Sequence, residues 1–120
     1  MLFRSRKIDA GAQFVVTQPY YDEAGTDALV AATRHIDIPI ILGILPLRTP
    51  RHAEFLHRKV AGINVPKQVR ERMSQAEDPV TEGIANAREV LNLARERFAG
   101  ACLMPPFDRF EMLGDILGKI

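Results

Sequence analysis

Residues 13–18, Gln-Phe-Val-Val-Thr-Gln, form a short β-branched and aromatic run between Gly11 and Pro19. A run of this length and composition predicts a buried strand that ends on a polar residue. From about Glu23 to His35 the positions Ala24, Ala28, Leu29, Ala31 and Ala32 recur at helical spacing. Ile38-Pro-Ile-Ile-Leu-Gly-Ile-Leu then forms a second apolar run, too continuous for a half-exposed strand. Thr49-Pro50 pairs an N-cap residue with a first-turn proline, so a helix is expected from there to about Val60, stopping at Gly62. Pro66 opens another, shorter helix.

The clearest helix covers 79–98. Asp78-Pro79 supplies its start, and Val80, Ile84, Ala87, Leu91, Ala94 and Phe98 follow one another at spacings of 4, 3, 4, 3 and 4. After Gly100, Ala-Cys-Leu-Met makes a third apolar run, expected at 101–104. Asp108 and Glu111, three apart, then have the spacing of a capping box, ahead of a closing helix marked by Phe110, Leu113, Leu117 and Ile120.

Every predicted strand is thus followed by helix, and every strand has the look of one buried on both faces. This predicts a parallel α/β sheet in the order 13–18, 38–44, 101–104, with helices on its outer face. Three strands leave two open edges, and a chain with open edges reads as part of something larger.

Composition narrows the function classes. With 47% hydrophobic and 26% charged residues the chain has the make-up of one soluble globular domain. Sixteen basic against 15 acidic residues leave a net charge of +1, which gives no electrostatic footprint for nucleic acid. The apolar runs are broken by Pro and Gly and fall short of a membrane span, for which roughly 18 residues are needed. The first residues carry charge without an apolar stretch behind them, and Cys102 has no second cysteine with which to pair. A reducing cytoplasm is the expected location.

In a parallel α/β barrel, chemistry collects just past the C-terminal ends of the strands. That selects residues 17–22, 46–52 and 105–109. The Gln18 amide both donates and accepts, matching the alternating edge of a heterocycle such as a pterin, or it satisfies a loop backbone group. Arg109 either pairs with a carboxylate or makes a surface contact. Tyr20-Tyr21 either stack on a planar ligand or pack against a helix. His35, His52 and His57 lack a zinc spacing and read as helix-surface histidines; no metal site is expected. Cys102, inside an apolar run, reads as buried and inert. Asp22-Glu23 and Glu77-Asp78 each precede a helix, where negative charge suits the dipole; a general acid/base role for either pair is the weaker alternative.

Three strings carry a resemblance: Lys7-Ile-Asp-Ala-Gly-Ala-Gln-Phe-Val-Val-Thr-Gln18, Ile38-Pro-Ile-Ile-Leu-Gly-Ile-Leu-Pro46 and Leu103-Met-Pro-Pro-Phe-Asp-Arg109. They are similar to the segments around strands six, seven and eight of the methylenetetrahydrofolate reductase family, including the reductase domains of bifunctional homocysteine S-methyltransferase proteins. The similarity runs from about Arg4 to Ile120. It implies that residues 1–120 are the C-terminal portion of a (βα)8 TIM barrel. It further implies FAD as cofactor, NAD(P)H as hydride donor and reduction of 5,10-methylenetetrahydrofolate to 5-methyltetrahydrofolate, a step of one-carbon metabolism.

By the same resemblance Lys7 falls on the flavin-contacting lysine, Gln18 on the folate-contacting glutamine and Arg109 on a basic residue near the folate. His52 stands where relatives often carry a glutamine near the folate. Relatives also place an aromatic residue on this helix against the ligand. Here Phe55 is the nearest aromatic and Leu56 occupies the matching place. The family's N-terminal strands, with the glutamate that serves as general acid, have no counterpart here, so no catalytic residue is assigned. Two expectations follow. One is a reductase portion that is inactive until a complementary N-terminal barrel segment completes it. The other is a non-catalytic module that self-associates through its open edges and retains some folate affinity.

Overall fold

The computed structural model describes residues 10–118. Its elements follow in the order β1 (Val15–Pro19), α1 (Glu23–Ala32), β2 (Ile40–Ile44), α2 (Pro50–Lys59), α3 (Lys67–Gln75), α4 (Pro79–Arg97), β3 (Gly100–Leu103) and α5 (Glu111–Leu117), with a 3-10 turn at Pro106–Asp108 between the last two. The three strands form one parallel sheet in the order β1-β2-β3, as the sequence predicts. Among the described residues no helix is long and apolar enough to cross a membrane.

The side-chain alternation of the strands sorts the core. Leu42 and Ile44 of β2, with Ala101 and Leu103 beside them on β3, point to one face. There they meet Leu29 of α1, Ala87, Val90, Leu91 and Ala94 of α4, and Ile116 of α5. Full burial of one such Leu or Ile contributes about 1.5–3 kcal/mol, so this face is the main stabilising layer. The intervening residues Val16, Ile41 and Cys102 belong to the opposite face, which no helix among the described residues covers; Phe14 and Val16 are 57% and 48% exposed. Cys102 is accordingly only partly buried, because among the described residues the sheet has one apolar layer against it and not two.

A second core joins α2 and α3. Ala53, Leu56, Val65, Val69 and Met73 pack around Tyr21 and Leu47, residues that immediately follow β1 and β2. This helical pair therefore sits past the C-terminal ends of the strands. Thr49 caps α2 as expected, its hydroxyl accepting from the His52 amide at 3.0 Å. The expected box at Asp108 and Glu111 does not start the last helix. Asp108 is taken up in the 3-10 turn behind Pro105-Pro106, and Phe110 stands at the N-cap with no side-chain hydrogen bond.

Exposed charges tie the outer helices together. Arg97 of α4 pairs with Glu23 and Asp27 of α1, and Arg72 of α3 pairs with Glu82 and Glu89 of α4. Such surface pairs contribute little individually.

Candidate functional site

The end of β1 is irregular. Val16 pairs with Ile41, yet three residues later Pro19 pairs with Gly43, so β1 carries one residue more than β2 over this stretch. That is a β-bulge, the device by which a strand re-aims a side chain. Thr17 heals the ladder. Its buried hydroxyl accepts from the Gly43 amide at 3.0 Å and donates to the Gln18 carbonyl at 2.8 Å. Gly43 is required for the close approach, since a Cβ there would stand 2.5 Å from the Thr17 carbonyl oxygen. Gln18 itself is exposed, with its amide lying over Gly62 in the turn between α2 and α3.

Tyr20 and Tyr21 are packing residues. Tyr21 is buried, its hydroxyl donates to the Leu45 carbonyl at 2.9 Å, and its own carbonyl accepts from Asn86 Nδ2 at 2.8 Å. Burial holds the phenol well above its ordinary pKa, so it stays a hydrogen-bond donor. The pair locks the β1 end to the β2 end and to α4.

His52 corrects the surface reading of the histidines, since it is only 7% exposed. It occupies the first turn of α2, where its side chain folds back and its Nδ1 accepts from the Arg48 amide at 3.2 Å. An accepting Nδ1 places the neutral ring's proton on Nε2. Burial first, and the neighbouring Arg48 charge second, lower its pKa and keep it neutral. The ring lies 4.9 Å from that of Phe107 at an interplanar angle of 52°. His57, also on α2, accepts from the Val65 amide through Nδ1 at 3.2 Å and so closes the α2–α3 turn.

Phe107 lies in the 105–109 segment that the sequence selects, with no role of its own assigned there. It is 68% exposed and adopts φ 51°, the one non-glycine residue with positive φ among those described. A bulky residue there costs roughly 1–3 kcal/mol, strain of a kind that collects at functional sites. The signal in the sequence is Pro105-Pro106, which fixes the approach to the turn and leaves Phe107 to absorb the reversal. Arg109 follows, exposed, with Nη1 3.8 Å from Glu111 Oε1.

The structure thus joins His52 to the turn that carries Phe107 and Arg109 at the N-terminal end of α2. It sets Gln18 against the turn beyond the C-terminal end of the same helix. A ten-residue helix is about 15 Å long, which is the scale of the platform between them. Leu56 is buried in the second core, whereas Phe55 is 56% exposed on the outer side of α2. Lys7 lies outside the described residues.

The chain is 35% identical over 79 residues to methylenetetrahydrofolate reductase 2 of Saccharomyces cerevisiae (strain ATCC 204508 / S288c), an alignment covering 63% of this chain and 13% of that protein. Its fold is shared with an uncharacterized protein from Clostridium thermocellum that binds two copies of 5-methyl-5,6,7,8-tetrahydrofolic acid. That match has a TM-score of 0.58 and 22% sequence identity, and it covers 96% of this chain and 44% of the other. The chain therefore spans less than half the length of either. The family model for methylenetetrahydrofolate reductase matches residues 2–101, and the chain belongs to that family.

Proposed function

We propose that this chain forms the folate-binding side of a methylenetetrahydrofolate reductase barrel, corresponding to its last three strands, and that it is catalytically silent until the other strands are supplied. The observation that carries the reading is Gln18: an exposed amide, re-aimed by a bulge, at the C-terminal end of a parallel strand in a chain of this family. An amide offers one acceptor and two donors, the complement of a pterin edge. The clostridial protein of the same fold, which binds 5-methyltetrahydrofolic acid, supports the ligand class. At the other end of α2, His52 offers a neutral Nε2–H donor and Arg109 a cation suited to the carboxylates of a folate tail.

FAD and NAD(P)H enter through family membership. FAD, when bound, relays hydride from the nicotinamide to the folate. The residue assigned to it here, Lys7, lies outside the described segment, so the reading commits this chain's described residues to the folate alone. The general acid, too, belongs to the strands that a completing segment would bring.

Titration of 5-methyltetrahydrofolate into the chain, followed by calorimetry, tests the reading. Binding should weaken by about five- to 150-fold in Gln18→Ala, the equivalent of roughly 1–3 kcal/mol for a lost buried hydrogen bond. Unchanged affinity would remove Gln18 from the site. When the chain is mixed with a complementary N-terminal barrel segment carrying FAD, methylenetetrahydrofolate should reoxidise the reduced flavin. A colourless mixture with no turnover would sink the reductase part. A second reading, a non-catalytic module that self-associates, is favoured by the uncovered sheet face at Phe14 and Val16.

A further inference from the structure

The seat on which Gln18 rests is built from the α2–α3 turn. At Gly62 the backbone has φ 87°, and a methyl group placed on its Cα would stand 2.5 Å from Gln18 Nε2, 2.7 Å from Oε1 and 2.9 Å from Cδ. Contacts that short do not persist, so one partner would have to move. The turn is held from several sides. Ile63 donates to the Val60 carbonyl at 3.3 Å, Val65 donates to His57 at 3.2 Å, and the Arg70 Nε donates to the Val65 carbonyl at 2.9 Å. Val65 is fully buried, with Val60 and Ile63 packed against the same core. The Gln18 side chain, by contrast, ends in free rotors. A side chain at position 62 therefore displaces the flexible Gln18 amide before the packed core of the turn, and strains the turn's own backbone at φ 87°.

We propose that Gly62 is a positioning residue for Gln18: its missing side chain is the seat that fixes where the Gln18 amide meets the pterin edge, a role that rests on the folate reading above. Gln18 needs such a seat because a glutamine on a strand end has three free torsions, and an amide that is already ordered loses less freedom on binding. The α2–α3 turn thereby acts on the ligand through Gln18 without touching it. Gly62 serves the backbone as well, since its positive φ suits glycine and, next best, asparagine.

Two substitutions separate these roles. Both Gly62→Asn and Gly62→Ala bring a Cβ, and at φ 87° asparagine strains the backbone less than alanine does. In the isotopically labelled 120-residue chain, nuclear Overhauser contacts should link the Gln18 side-chain NH2 to the Gly62 α-protons. In both variants the Gln18 NH2 resonance should shift and its contact to residue 62 disappear. An unmoved Gln18 resonance would show that Gly62 serves the turn alone and overturn the proposal.

Binding of 5-methyltetrahydrofolate should weaken about five-fold or more in Gly62→Asn, with no further loss when Gln18 is already Ala. A parent chain that binds the folate while Gly62→Asn binds it equally well also overturns the proposal. A parent that binds no folate overturns the role in ligand contact together with the folate reading. In that case the Gln18 resonances still decide whether the seat exists.

Discussion

His52 shows how one buried ring couples local geometry to pH. Its Nδ1 must be unprotonated to accept from the Arg48 amide, and its ring is packed against Phe107. Its folded-state pKa lies below the ordinary histidine value because burial and Arg48 both oppose the charged form. The folded state therefore binds fewer protons than the unfolded chain as the medium is acidified. Stability from this group is fully present above the ordinary histidine value and is lost as pH falls through the depressed one. Thermal melts from neutral to about pH 5 should show a decline that His52→Asn, whose Oδ1 replaces Nδ1 as acceptor, removes. The same slope in both proteins would place the titration elsewhere.

The decisive feature among the elements is the bulge that ends β1. Gly43 gives its amide to the Thr17 hydroxyl and leaves room for the Thr17 carbonyl. Gly43→Ala drives a Cβ into backbone that cannot swing aside, unlike the flexible side chain opposite Gly62. Overpacking of this kind costs about 1–3 kcal/mol, read as a lower urea midpoint, and it should also disturb the Gln18 resonances. A silent Gly43→Ala would mean that the strand pairs without its bulge. Thr17→Val makes the complementary change: it keeps the shape and removes the hydroxyl, leaving the Gly43 amide unpaired at about 1–3 kcal/mol.

Among the described residues the molecule is a three-stranded sheet with one face clothed by α1, α4 and α5 and the other bare. Phe14 and Val16 stand on that bare side, and the outer edges of β1 and β3 have no strand beside them among the described residues. Open edges and exposed apolar faces favour association. Light scattering at micromolar concentration should find the chain larger than a monomer, and Phe14→Lys with Val16→Lys should reduce that size without unfolding α4. A monodisperse monomer before substitution would refute the second reading of its function.

Periodicity alone determined most of the frame. The Val80 to Phe98 spacing gave α4, Thr49-Pro50 gave the start of α2, and three apolar runs, each followed by helix, gave the parallel order. These are local properties, carried by side-chain pattern, capping and proline geometry, and a single chain segment displays them. The positions of Gln18 at the end of β1 and of Arg109 after β3 were also legible, because place after a strand is itself a local signal, whereas their role toward a ligand is a proposal.

Tertiary structure decided the rest. His52 looked like a surface residue of α2 until the turn after β3 came to lie on it, and Cys102 looked buried until its face of the sheet was seen to lack a second layer. The bulge at Thr17 and the seat at Gly62 each depend on a partner 26 or 44 positions away in the chain. No pattern within a strand or a turn encodes which distant backbone will approach it. Where the Gln18 amide points is therefore a property of the packed molecule, set by Gly43 from one side and by Gly62 from the other.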